Sequence, residues 1–272
     1  MSRAVLTLMI GAHVGHHRAM SPDAPTTPRA RARAAFQADL LAAARARIAA
    51  EGAAQLSLRA VARDLGVASS AVYRYVESRD ALLTMLLVES YDEVAEACEA
   101  ALARAVDDAA APGQTWLAVG RAFRTWAVEH RHSYELIYGT PVPGYAAPQD
   151  TVPHATRVWA AVAAPLLDAH ARGVLGPSPA DGRSDDLVDP FAVELAREMA
   201  GVAGRLARGA VPSDAAAALV VRSFSLFEAL LGALSAELFG HLHRVVADPA
   251  RAFDVTLATV AAGVGLRVDL AG

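Results

Sequence analysis

All 25 basic side chains of this 272-residue sequence are Arg, and there is no Lys. A guanidinium stays charged at every working pH and offers a planar fork of donors that matches phosphate oxygens and the guanine edge. Schiff-base and pyridoxal-phosphate chemistry, a Walker phosphate loop and a protein-kinase site each need a lysine, so the chain's own residues cannot support them. Oxygen and guanidinium donors are concentrated instead in one short run, Ser69, Ser70, Tyr73, Arg74 and Tyr75. Donors of this kind suit a polyanion.

The charge distribution points the same way. Residues 1–80 hold 11 Arg against 6 acids, whereas the other 192 residues hold 14 Arg against 23 acids, so a net charge of −4 conceals a basic head on an acidic body. Such asymmetry suggests that the head meets nucleic acid. Enzyme signatures are missing: the sequence has no G-x-S-x-G, H-E-x-x-H or complete G-x-G-x-x-G. Of the histidines, only His13 and His17 have the i, i+4 spacing of a helical metal pair, while His130 and His132, like His241 and His243, lie two apart. No metal, cofactor or catalytic residue is implied. The single cysteine, Cys98, fits a reducing compartment. Arg3–Ala12 is a short apolar run with no small-residue cleavage site, so the expectation is a cytoplasmic protein without a membrane span.

The elements that must carry these donors are helical. With 64 Ala, 54% apolar residues and 6% aromatics, the composition favours closely packed helices over sheet. Pro22, Pro25 and Pro28 mark residues 1–28 as an extended, disordered stretch. A first helix is expected from Arg33 to Glu51, with Phe36, Leu40, Leu41, Ala44 and Ile48 on one stripe. Ser57 is a plausible cap for a second, short helix whose Leu58, Val61, Ala62 and Leu65 repeat at i, i+3, i+4, i+7. Gly66 permits the sharp left-handed turn into a third helix, Ser69 to Val76, which buries Val72 and Val76 and leaves the donors outward. Two short helices about a glycine turn form a helix-turn-helix, whose second helix can enter a DNA major groove.

The run SLRAVARDLGVASSAVYRYVESRDALL at 57–83 closely resembles the DNA-binding region of the TetR family of bacterial transcriptional regulators. Ala62, Gly66 and Val67 stand around the turn, Tyr73 and Tyr75 follow, and Arg79 with Leu82 and Leu83 closes the pattern. The resemblance implies that Tyr73, Tyr75 and Arg79 touch phosphate oxygens, with Ser57 adding a contact, and that Arg59 reaches a base edge. Ser69 and Ser70 are the further base-facing candidates, and Arg74 either reads a base or neutralises phosphate. Arg29, Arg31 and Arg33 alternate with Ala ahead of the first helix, as a minor-groove arm or a solvated tail. Ala68 departs from the family, which commonly places a capping Ser there; Ser69 capping one residue late is the alternative.

The family further implies an all-α fold: the helix-turn-helix domain at 29–80, then a helical effector-binding and dimerisation domain at 81–272. A linking helix is expected from Ala81 to Ala105, and stripes of large side chains follow at Gln114–His130 and around Trp159. The stretch WAVEHRHSYELIYGTPVPGY at 126–145 resembles an actinobacterial-type subgroup of regulatory domains. Candidate effector-binding residues are Trp116, Phe123, Trp126, Tyr134, Tyr138, Trp159, Met199 and Phe227, since such chambers are lined mainly by apolar and aromatic groups. The final helices, 213–242 and 249–266, expose more apolar surface than a monomer needs. Their small residues Ala229, Gly232, Ala233 and Ala236 suit a two-fold dimer interface. The expected function is a homodimeric regulator, a repressor released from a palindromic double-stranded operator by a small apolar or mildly polar effector. A constitutive DNA-binding regulator with a solid body is the alternative.

Overall fold

The computed structural model describes residues 27–178 and 214–270. The sequence-based expectations for the Pro-rich head before Thr27, for Met199 and for most of the 173–186 loop lie outside them. The described chain is all-α: α1 (Pro28–Glu51), α2 (Leu58–Asp64), α3 (Ser69–Val72), α4 (Arg79–Asp107), α5 (Pro112–Glu129), α6 (Arg131–Tyr138), α7 (Val152–Ala171), α8 (Asp214–Leu238) and α9 (Pro249–Gly263). It forms two compact units.

The first unit holds the described residues up to Glu93 together with Glu129–His154. Its core is built from Leu40, Leu41, Ala44 and Ile48 of α1, Leu56, Leu58, Val61 and Ala62 about α2, Val72 and Val76 about α3, and Leu82, Leu83 and Leu86 of α4. Phe36 and Leu65 pack at the margin of this core. Leu136, Val142 and Tyr145 also pack against it, and Tyr145 Oη lies 2.9 Å from Thr84 Oγ1. The unit therefore takes in α6 and the Pro-Val-Pro-Gly-Tyr loop, well beyond the boundary at 80 that the sequence suggests. Arg47 of α1 holds Asp64 of α2 through two bonds of 2.6 and 2.7 Å, and it keeps the Asp64 carboxyl below the ordinary carboxylate range.

The second unit holds Val94–Val128 and the described residues from Ala155 onward. Helix α5 is its centre, burying Trp116, Leu117, Val119, Phe123, Trp126 and Ala127. Arg124 pairs with Glu237 of α8, and Arg121 with Asp254 of α9. Glycines allow the close packing: a Cβ at Gly113 would strike the Arg267 carbonyl, and one at Gly120 would strike Leu257. Cys98 of α4 is fully buried, and burial, helped by the charge of Glu99, pushes its thiol up to about 12. Its nucleophilic thiolate is thus suppressed. Native protein at pH 8 should resist a disulfide-exchange reagent and react promptly once unfolded; rapid labelling of the folded chain would contradict this placement.

Candidate nucleic-acid interface

The turn between α2 and α3 follows from one residue. Gly66 adopts φ +67°, its N–H donates to the Arg63 carbonyl at 3.1 Å, and Val67 N–H donates to the Ala62 carbonyl at 3.0 Å. This pair of bonds is a Schellman motif with glycine in the left-handed position, which satisfies the last carbonyls of α2 while reversing the chain. A side chain at Gly66 would meet nothing within 4 Å, so conformation rather than space requires glycine. A β-branched residue there would be a genuine backbone outlier.

Helix α3 begins at Ser69 with Ala68 in the cap position, where no side-chain hydrogen bond is made. Ser69 is therefore the first helical residue and does not cap one position late. The helical hydrogen bonding runs past Val72, with Tyr73 N–H to Ser69 at 3.1 Å and Val76 N–H to Val72 at 3.1 Å. Ser70, Tyr73 and Arg74 consequently share one exposed face, Tyr73 being 49% exposed, while Val72 and Val76 point into the core. Ser69 is half-buried. At the start of α2, Ser57 sits in extended cap geometry with no side-chain cap bond, and Arg59 is exposed.

Tyr75 is half-buried, its ring 4.4 Å from that of Phe36 and beneath the guanidinium of Arg33 at 5.5 Å. Arg79 is more engaged than the sequence suggests. Its guanidinium donates to the carbonyls of Leu56, Ala53 and Ala54 at 3.1, 3.2 and 3.1 Å, and also meets Asp80 at 3.3 Å. The start of the long helix α4 is thereby tied to the single-turn helix Ala53–Gln55 ahead of the helix-turn-helix. Ser78 caps α4 through a bond from Ala81 N–H at 3.0 Å.

The structure alters the expectation for Arg29, Arg31 and Arg33. They do not form an extended arm, because α1 starts at Pro28, with proline's fixed φ at the first turn and Thr27 Oγ1 accepting from Ala30 N–H at 3.1 Å.

The candidate effector residues divide between the units. Trp116, Phe123, Trp126, Trp159 and Phe227 lie in the second, and Tyr134 and Tyr138 lie in the first. Trp116 is fully buried and donates its indole N–H to the Leu257 carbonyl at 3.1 Å, which makes it a packing element of α5 and α9. Tyr134 and Tyr138 pack at 5.3 Å, with Tyr91 6.0 Å from Tyr138. Trp159 packs on Phe224 at 4.9 Å, and its buried Nε1 has no hydrogen-bond partner among the described residues. Among the described residues, no three His, Cys, Asp or Glu side chains are grouped to hold a metal.

Comparison with known proteins agrees with this architecture. Residues 40–86 match the family described as bacterial regulatory proteins, tetR family, and residues 116–260 match the tetracyclin repressor-like C-terminal domain. The chain is 40% identical over 233 residues to the HTH-type transcriptional regulator Rv1816 of Mycobacterium tuberculosis (strain ATCC 25618 / H37Rv), covering 82% of this chain and 89% of the relative. The HTH-type transcriptional regulator Mb1846 of Mycobacterium bovis matches with the same identity and coverage. The crystal structure of SCO4313 is similar with 29% identity and a TM-score of 0.64, over 86% of this chain and 98% of that one. A protein with unknown function from Rhodococcus sp. RHA1 shares the fold, with 22% identity and a TM-score of 0.59 over 85% of this chain and 95% of its own. With two family descriptions meeting one helix-turn-helix and one helical body, and with mycobacterial relatives on hand, the chain belongs to the TetR family of DNA-binding transcriptional regulators, in an actinobacterial-type subgroup.

Proposed function

We propose that the protein is a cytoplasmic homodimeric repressor that releases a palindromic operator when a small apolar or mildly polar effector enters its helical body. The observation that carries the DNA half is the exposed donor face of α3 beside Arg59, fixed by the left-handed turn at Gly66. Tyr73, Tyr75 and Ser57 donate to phosphate, while Arg59, Ser69 and Ser70 face base edges and Arg74 adds charge. Arg79 brings positive charge to the same edge while its N–H groups hold the Ala53–Leu56 segment. Support for dimerisation comes from α8. Within it, Ala218–Leu238 is apolar enough to span a membrane by length and composition, yet only 44% of its most apolar window is buried. Gly232 is exposed, with open space where a Cβ would stand, and Ala229, Ala233 and Ala236 are half-buried, so a second copy of the helix can approach closely. Two recognition helices about 34–36 Å apart then fit successive major grooves.

Support for an effector comes from Trp159. Buried polar groups are nearly always hydrogen-bonded, so an indole N–H without a partner among the described residues, its ring against Phe224, is suited to a ligand acceptor. A screen of small apolar compounds by thermal shift tests this, because a ligand at about 100 times its dissociation constant adds about 2.7 kcal/mol. A stabilising compound should release the operator in a gel-shift assay, and Trp159→Phe should weaken that release while leaving DNA binding intact. Compounds that stabilise the protein without moving DNA affinity would favour the constitutive reading.

A further inference from the structure

Helix α1 treats its arginines in two ways. In its second half, Arg45 pairs with Glu89 and Glu93, and Arg47 pairs with Glu51 and Asp64. At its start, Arg29, Arg31 and Arg33 are all exposed and have neither hydrogen bond nor ion pair among the described residues. No acid lies in the first turn, and the first one along the helix is Asp39. This arrangement opposes folding: cations at a helix N-terminus face the positive end of its dipole, and like charges at i, i+4 repel.

The three do not share a surface. At 100° per residue, Arg29 and Arg33 fall within about 40° of each other, whereas Arg31 lies about 160–200° away from both. Only the Arg29 and Arg33 face is joined to the helix-turn-helix, because the Arg33 guanidinium rests over the Tyr75 ring, which in turn packs on Phe36. A cation held against an aromatic ring keeps its N–H edge free for an anion.

We infer that Arg29 and Arg33 form a second phosphate-binding surface that grips the DNA backbone beside the segment engaged by Tyr73 and Tyr75. This rests on the DNA-binding reading and deepens it. The surface reads no base. It adds sequence-independent affinity and leaves Arg31 uninvolved.

Full-length protein should be titrated with a random-sequence DNA duplex over a range of salt concentrations, comparing wild type, the double variant Arg29→Gln/Arg33→Gln, and Arg31→Gln. Each lost phosphate contact lowers the slope of log affinity against log salt by about 0.9. The double variant should therefore lose about 1.8 per protomer, and its drop in affinity between 50 and 200 mM salt should shrink about tenfold per protomer. Arg31→Gln should match wild type in slope, and both variants should melt within a few degrees of wild type, since relief of the unfavourable cations at the helix start offsets the lost Arg33–Tyr75 contact. Equal slopes for wild type and double variant overturn the inference, as does an equal effect per charge from Arg31→Gln. Wild-type protein that binds neither this duplex nor upstream intergenic DNA overturns the DNA-binding reading itself, a distinguishable outcome.

Discussion

Arg59→Ala is expected to weaken operator binding by about 1–3 kcal/mol per half-site, the worth of one good side-chain contact to a base edge. Both protomers carry the substitution, so the dimer loses roughly 30-fold to 10⁴-fold in affinity. Arg59 is exposed in the first turn of α2, one position past Leu58, whose buried side chain fixes the register of that turn. The side chain therefore contributes little to folding, and the melting temperature should hardly move. Discrimination is the second readout. A residue that reads guanine loses affinity for the operator far more than for random DNA, whereas a phosphate contact loses both alike. Operator affinity unchanged in Arg59→Ala would remove it from the interface.

The second large effect concerns stability. Arg222 of α8 is 3% exposed, and its Nη1 donates to the Gly176 and Val264 carbonyls at 3.0 Å each. Gly176 N–H in turn donates to the Gly265 carbonyl at 2.8 Å, so one guanidinium closes the junction between the segment after α7 and the end of α9. Arg222→Met keeps much of the volume but removes the donor, and a buried carbonyl left without one costs about 1–3 kcal/mol. The expected loss is about 2–5 kcal/mol, or about 5–15 °C in melting temperature. DNA affinity measured well below that transition should be unchanged, since Arg222 belongs to the body. A melting temperature within a degree of wild type would show that the junction has another support.

Arg59 and Arg79 show what a sequence can and cannot disclose. The exposure of Arg59 agrees with a short amphipathic repeat, Leu58, Val61, Ala62, Leu65, whose period places it outward, while its part in reading a base rests on the family resemblance. Gly66 was legible for a related reason: a left-handed residue needs glycine whatever surrounds it. The carbonyl clamp made by Arg79 is not, because its acceptors lie on the single-turn helix Ala53–Gln55 and on Leu56 just after it, a segment that has no periodicity and sits more than twenty residues away. The start of α1 was expected five residues late. Pro28 reads with the preceding prolines as a mark of disorder, although proline after a threonine cap also opens helices, and the arginines that follow disfavour a helix N-terminus electrostatically. Docking of Val142 and Tyr145 on the core of the first unit was likewise hidden, since a loop rich in proline and glycine carries no pattern that names its partner. Among the effector candidates, aromatic type alone could not separate Trp116, whose indole is bonded to a backbone carbonyl, from Trp159, whose indole is not.

A basic helix-turn-helix head of this kind should hold double-stranded DNA in a sequence-selective way. Its most direct test is a gel-shift titration of the purified full-length protein against the intergenic DNA upstream of its gene, with random DNA of equal length as competitor and salt varied from 50 to 200 mM. The expected result is specific retardation that survives the competitor and weakens on the order of 10³-fold across that range for roughly six phosphate contacts. Absence of retardation at the lowest salt, or retardation abolished equally by random DNA, would contradict it.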